Sequence, residues 1–116
     1  MAIAPTAHVD TFARDHLPPP ELQPEFLFTL PELQFPAQLN CATELLDARV
    51  AAGDGARLCI SAPGAPSWSY ADLQAQANRI ANVLTRDLGL VPGNRVLLRA
   101  PNNPMLVACY LAVIKA

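Results

Sequence analysis

Few residues in this 116-residue chain combine the types and spacings that do chemistry. His8 and His16 are eight positions apart, which fits no common metal motif, and both lie in a stretch bounded by prolines. Asp10, Asp15 and Glu21 are close by in sequence, but one flexible segment does not hold a preorganised site. Both histidines therefore read as solvated or structural. The strongest local candidate is the loop Pro101-Asn102-Asn103-Pro104. It would follow a covered strand, where open α/β sheets bind ligands, and it opens a helix whose N-terminus favours anions. The simpler reading is that Asn102 makes the turn, Asn103 caps and Pro104 starts the helix. Asn78 stands inside a helical pattern although asparagine is a poor interior helix former. It is suited to bond a neighbouring backbone or loop. Trp68 and Tyr70 read as hairpin anchors more readily than as a stacking surface. The chain contains no GxxxxGK[ST] loop, no GxGxxG after a strand, no HExxH and no GxSxG elbow. No residue is accordingly assigned a catalytic, cofactor-binding or metal-ligating role.

Composition narrows the classes further. A formal charge of −2 with scattered signs gives no basic patch, which weighs against nucleic-acid binding. Cys41, Cys59 and Cys109 are far apart, odd in number and without a CxxC pair. They imply neither a disulfide framework nor a zinc site and read as small buried thiols in a reducing compartment. The N-terminus lacks a basic region followed by a continuous apolar run, so it is not a signal peptide, and a cytoplasmic protein is expected.

The elements that must position any site divide the chain in two. Residues 1–39 form a Pro-rich arm, with a short helix expected from about Val9 to Asp15 before Pro18-Pro19-Pro20 ends it. Phe26, Leu27, Phe28, Leu30, Leu33 and Phe35 follow no sustained period. They are expected to lie extended over a larger body with their side chains plugged into it. Residues 40–116 are regular. Asn40 caps a helix over Cys41 to Ala52 that ends at Gly53, with Ala42, Leu45, Leu46 and Val50 on its apolar face. A hairpin follows, from Arg57 to Ser61 and back through Trp68-Ser69-Tyr70. Ser69 and Asp72 form a capping box for a helix that places Leu73, Ala77, Ile80, Ala81, Leu84 and Leu88 on one face. Gly89 closes that helix and Pro92-Gly93 fits a type II turn. Arg95 to Arg99 reads as a strand covered on both faces and joined to the first strand by a right-handed crossover if they share a sheet. The last helix, from Met105 on, is apolar all round.

Nothing after Ile114 reads as a helix end, since Lys115 and Ala116 are good helix formers without a Gly cap or Pro stop. The chain is expected to be the front of something larger, truncated in its last helix. Met105 to Ile114 is about half the roughly 20 residues that cross a bilayer, and Lys115 interrupts it. A buried helix beside a sheet explains the same composition.

An ordered series of motifs adds a resemblance. It runs Trp68-Ser69-Tyr70-Ala71-Asp72-Leu73, then Ala77-Asn78-Arg79-Ile80-Ala81-Asn82-Val83-Leu84, then Gly89-Leu90-Val91-Pro92-Gly93-Asn94-Arg95-Val96. Pro101-Asn102-Asn103-Pro104 and Cys109-Tyr110-Leu111-Ala112-Val113-Ile114-Lys115-Ala116 complete it. Residues 40–116 thus resemble the N-terminal part of the adenylate-forming (AMP-binding) enzymes, which include acyl- and aryl-CoA synthetases, luciferases and nonribosomal-peptide adenylation domains. The arm from His8 to Pro20, together with Leu39 to Asp47, is similar to the start of benzoate-type and especially 2-aminobenzoate-CoA ligases. The resemblance implies the opening portion of the large N-terminal α/β domain: hairpin, helix, parallel strand and buried helix behind a Pro-rich arm. It implies a parent that turns a carboxylate and ATP into an acyl-adenylate and then, with coenzyme A, into a thioester. ATP, Mg2+ and coenzyme A would be the parent's cofactors and an aromatic acid such as benzoate or 2-aminobenzoate its substrate. None of the family's catalytic motifs falls on a position of this chain, so these residues alone are expected to be inactive and to bind none of those groups. The implied partners are the remainder of its own chain and a small-molecule carboxylate, with no nucleic acid or membrane and a homodimeric parent as one open assembly. Two other classes stand beside this: a free-standing α/β interaction module docking through its last helix, and a membrane-anchored regulator.

Overall fold

A computed structural model describes residues 6–116. The fold combines helices with one small antiparallel sheet: α1 Phe12–Asp15, α2 over residues 41–51, β1 Leu58–Ile60, β2 Trp68–Ser69, α3 over residues 70–87 and α4 Pro104–Lys115. Hairpin, amphipathic helix and final helix stand where their residue patterns placed them.

Each of the longer helices begins on a side chain that meets its orphan amides. Asn40 Oδ1 accepts from the amides of Ala42 and Thr43 at 3.0 and 3.3 Å. At α3 the capping box is closed in both directions: Ser69 Oγ accepts from the Asp72 amide at 3.2 Å and Asp72 accepts from the Ser69 amide at 2.9 Å. Asn103 Oδ1 accepts from the Leu106 amide at 3.0 Å, with Pro104 at the first helical position. Two of the helices contain a widened, π-type turn, Thr43–Asp47 in α2 and Val83–Asp87 at the end of α3. The second one ends on Gly89 at φ +66°, and the Leu90 amide reaches back to the Leu84 carbonyl at 2.8 Å. The extra residue in that turn rotates Leu88 off the apolar face on which its spacing placed it, and Leu88 is exposed.

The core lies where α2, α3 and α4 meet. Ala42 and Leu46 come from α2, Leu73 and Ala77 from α3, and Ala108, Leu111 and Ala112 from α4. The four alanines are wholly buried, so the backbones pass close to one another there. Cys59, Ile60, Trp68, Tyr70 and Ile80 pack against this seam and lay the hairpin over it. In the hairpin Leu58 pairs with Ser69 and Ile60 with Trp68, with a register irregularity between them.

Polar contacts lock the same three helices. Asp47 of α2 accepts from Gln74 of α3 at 2.8 Å and pairs with Lys115 of α4 at 2.6 Å. Asn40, while capping α2, also donates to the Ile114 carbonyl at 3.0 Å.

Several expectations are corrected. Residues 94–100 form no strand among the described residues: the hairpin strands are short and pair with each other, so no partner stands beside Arg95 to Arg99. Leu97 is 92 % exposed, Val96 and Leu98 half-buried, and the expected crossover falls with the strand. The last helix is not enclosed, since Met105 and Tyr110 face outward. Phe26, Leu27, Phe28, Leu30 and Phe35 are exposed instead of plugged into the body, and Leu33 is half-buried. Phe28 instead stacks on Phe26 and meets Phe35 edge-on. Cys41 is exposed and Cys59 and Cys109 are half-buried; all three are free.

The arm also contains a feature of its own. Pro20-Glu21-Leu22-Gln23 recurs as Pro31-Glu32-Leu33-Gln34, and both copies make a 3-10 turn over Pro-Glu-Leu. In each, the glutamine amide folds back on an upstream carbonyl, Gln23 on Pro18 at 2.8 Å and Gln34 on Phe28 at 2.6 Å.

The alanine seam sets a test. Ala108→Leu inserts a branched side chain where there is no room and is expected to lower unfolding stability by about 1–3 kcal/mol in urea denaturation. Tyr110→Leu, on the outward face of the same helix, is expected to change it by less than about 0.5 kcal/mol.

Candidate functional site

The candidate loop is a helix cap in the structure. Asn103 spends its side-chain oxygen on the Leu106 amide, Pro104 is buried, and Pro101 and Asn102 are exposed without a hydrogen bond to another described residue. The unpaired segment before it supplies no sheet edge at which a ligand crevice would open. At α3 the capping box closes the other long helix start in the same way, and Asn40 closes α2. The three helix N-termini are thus filled by their own side chains rather than left open to an anion.

Asn78 is half-buried and bonds no other described residue through its side chain. Trp68 and Tyr70 pack on the core, as anchors do. Trp68 also forms one wall of an open groove of about 330 Å³, shared with Pro66, Asp72, Ala75, Gln76 and Arg79. Arg79 donates to Gln76 at 3.0 Å in its floor. The groove brings together the Arg79 cation, the Trp68 face, the Gln76 amide, the Ser67 hydroxyl and the Asp72 carboxylate, and that carboxylate is already engaged by Ser69 in the capping box. Among the described residues no group of three or more His, Cys, Asp or Glu side chains is arranged to hold a metal ion. No described helix is long and apolar enough to cross a membrane.

The histidines are not brought to this groove. His16 stacks on Phe12 at 4.1 Å and its Nδ1 lies 2.7 Å from the Phe12 carbonyl, while the His8 amide bonds to Thr6 Oγ1. The residue that sequence reading passed over is Asp10. Its carboxylate accepts from the Phe12 amide at 2.9 Å, from Asn94 at 2.8 Å and from Arg95 at 2.7 Å. The hydrogen bonds from the Phe12 amide and Asn94, with Arg95 adding to them, hold the Asp10 carboxyl below the usual aspartate range against an opposing effect of burial. No local pattern announces the tie to the body, because Asn94 and Arg95 are more than eighty residues away.

Two further carboxylates are lowered, and both are structural. The Ser69 amide and hydroxyl hold Asp72 down. Partial burial pushes Asp47 up, but the Lys115 and Gln74 hydrogen bonds and the Lys115 charge together outweigh it. Burial alone raises the Cys59 thiol, which makes it a poorer nucleophile.

These shifts fix a sign. A carboxylate lowered in the folded state contributes stability that is complete above its unfolded value and is lost as pH falls through the folded one. Unfolding stability is therefore expected to hold steady above about pH 5 and to decline as pH drops below the ordinary aspartate value of 3.8. Asp47→Asn should flatten that acid decline in a pH series of urea melts. Removing the cap with Asn103→Ala should cost about 0.5–2 kcal/mol in the same melts. A loss below that range would mean that Asn103 does not hold the helix start.

Comparison with known proteins supplies what the geometry lacks. The profile of the AMP-binding enzyme family matches residues 47–116. The acetyl-coenzyme A synthetase of Mycobacterium tuberculosis (strain CDC 1551 / Oshkosh) is 41% identical over 80 residues, covering 65% of this chain and 12% of that protein. The salicyl-AMP ligase / salicyl-S-ArCP synthetase of Mycobacterium tuberculosis (strain ATCC 25618 / H37Rv) is 41% identical over 54 residues, 47% of this chain and 9% of its own. The benzoate–CoA ligase of Thauera aromatica is 30% identical over 87 residues, 75% of this chain and 16% of its own. No solved structure gives a significant match. The chain spans 12% of the length of the acetyl-coenzyme A synthetase it matches.

Proposed function

The chain belongs to the AMP-binding enzyme family, and on that premise we propose that it is the opening scaffold of an acid–thiol ligase. That ligase joins a carboxylate to coenzyme A while ATP is cleaved to AMP and pyrophosphate. The observation that carries this is the family match over residues 47–116, which takes in the end of α2, the hairpin, α3 and α4. ATP, Mg2+ and coenzyme A belong to the proposal, but the residues present here do not fit them. The helix starts are taken by Asn40, Ser69 and Asn103, and the described acidic, histidine and cysteine side chains form no metal-holding cluster. No step is assigned to any residue of the chain, and residues 1–116 alone are expected to lack ligase activity.

An aromatic acid such as benzoate or 2-aminobenzoate is the proposed substrate. The arm's likeness to benzoate-type ligases supports it, and so do the relatives named for salicyl and benzoate chemistry. Acetate is the second reading, favoured by the 41% identity with acetyl-coenzyme A synthetase over 80 residues. The proposed partners are the remainder of a longer polypeptide and the small carboxylate, in the cytoplasm.

Thioester formation by the product of the whole gene, assayed with benzoate, 2-aminobenzoate, acetate and a fatty acid, tests the reading. The expected result is ATP-dependent thioester with an aromatic acid as the best substrate. Preference for acetate would transfer the assignment to the second reading, and thioester with none of the acids would refute the ligase. Turnover by residues 1–116 alone would refute the scaffold role.

A further inference from the structure

We propose that residues 6–39 are a strap held to the helical body by a latch, with Asp10 as its bolt and the Pro92-Gly93 turn as its keeper. Val9, Asp10 and Phe12 make one compact set of hydrogen bonds, an ion pair and a ring contact to residues 92–95 of the body. The amides of Val9 and Asp10 both donate to the Pro92 carbonyl, at 2.8 and 2.9 Å. The Asp10 carboxylate takes Asn94 and Arg95 on one oxygen and the Phe12 amide on the other. The Arg95 guanidinium lies 4.3 Å from the Phe12 ring centre, so the same cation grips the arm twice.

The keeper is shaped for this contact. Gly93 stands at φ +99° in a turn closed by the Asn94 amide on the Val91 carbonyl at 3.1 Å, and Asn94 Oδ1 accepts from the Val91 amide at 3.0 Å. A Cβ on Gly93 would lie 2.0 Å from the Asp10 carbonyl oxygen. Only a residue without a side chain lets the arm approach so closely.

Beyond the latch, residues 17–39 turn back on themselves. The two glutamine clips and the Phe26, Phe28 and Phe35 contacts are internal to the arm. At the far end the strap is fixed covalently, where Asn40 is tied to α2 and α4. With one end hinged and this cluster at the other, loss of Asp10 loosens residues 6–39 from the body. The body, whose contacts lie elsewhere, stays folded. The latch contains an ion pair whose Arg95 side is exposed to solvent, so salt weakens it.

Two variants of the whole 116-residue chain test this by different physics. Asp10→Asn removes the charge, and Gly93→Ala pushes the arm away sterically. Both are expected to speed hydrogen exchange at the Val9 and Asp10 amides by about tenfold or more and to hasten chymotryptic cleavage after Phe12. Emission of Trp68, the single tryptophan and half-buried against the core, is expected to stay unchanged. Rising salt should reproduce the effect in the unaltered chain and add little in Asp10→Asn. Unchanged exchange in both variants would overturn the latch. Trp68 emission that changes together with arm exchange would overturn the strap as a unit separate from the body.

Discussion

The close approach of three helices at four alanines is the constraint on which the rest of the body depends. Ala42, Ala77, Ala108 and Ala112 have no reach of their own, so their burial requires the backbones of α2, α3 and α4 to run nearly in contact. Only then do Leu46, Leu73 and Leu111 fill the seam, and only then can the Asp47 carboxylate touch Gln74 and Lys115 at once. The hairpin is a dependent element. Two strands of three and two residues are marginal alone and persist because Ile60 and Trp68 rest on the helices.

Polar side chains are used here to finish secondary structure. Asn40, Ser69, Asp72 and Asn103 satisfy helix amides, Asp47 ties three helices, and Asp10 ties the arm. The lowered carboxyls are all accounted for by such contacts, which is why a shifted acid here does not mark an active site. The arrangement suits a scaffold that reactive groups from elsewhere are built upon.

What the sequence made legible follows the range of the forces involved. The capping box at Ser69 and Asp72, the cap at Asn103, the turn at Gly93 and the helix end at Gly89 rest on local chemistry, and each stands where its residues placed it. Leu88 was misplaced because a widened turn is silent in an apolar period. The strand over Arg95 to Arg99 was misjudged for a different reason: its composition is right, but a strand needs a neighbour, and pairing is not a property of the segment. Asp10 was hidden because Asn94 and Arg95 are far along the chain, and Phe26, Phe28 and Phe35, assigned to the body, instead pack on one another and stay exposed. The candidate loop was readable in its structural role, and the ordered motifs identified the family where single residues named no chemistry.

The extended stretch at residues 94–100 carries an obligation that is kinetic rather than structural. It pairs with no described strand, and its Leu97 side chain is 92 % exposed. During synthesis such a stretch is a template for whichever extended segment arrives first. Pairing within one molecule is independent of concentration, whereas pairing between molecules grows with it. Crowded expression thus pushes toward association of chains, and chaperone capture pushes against it.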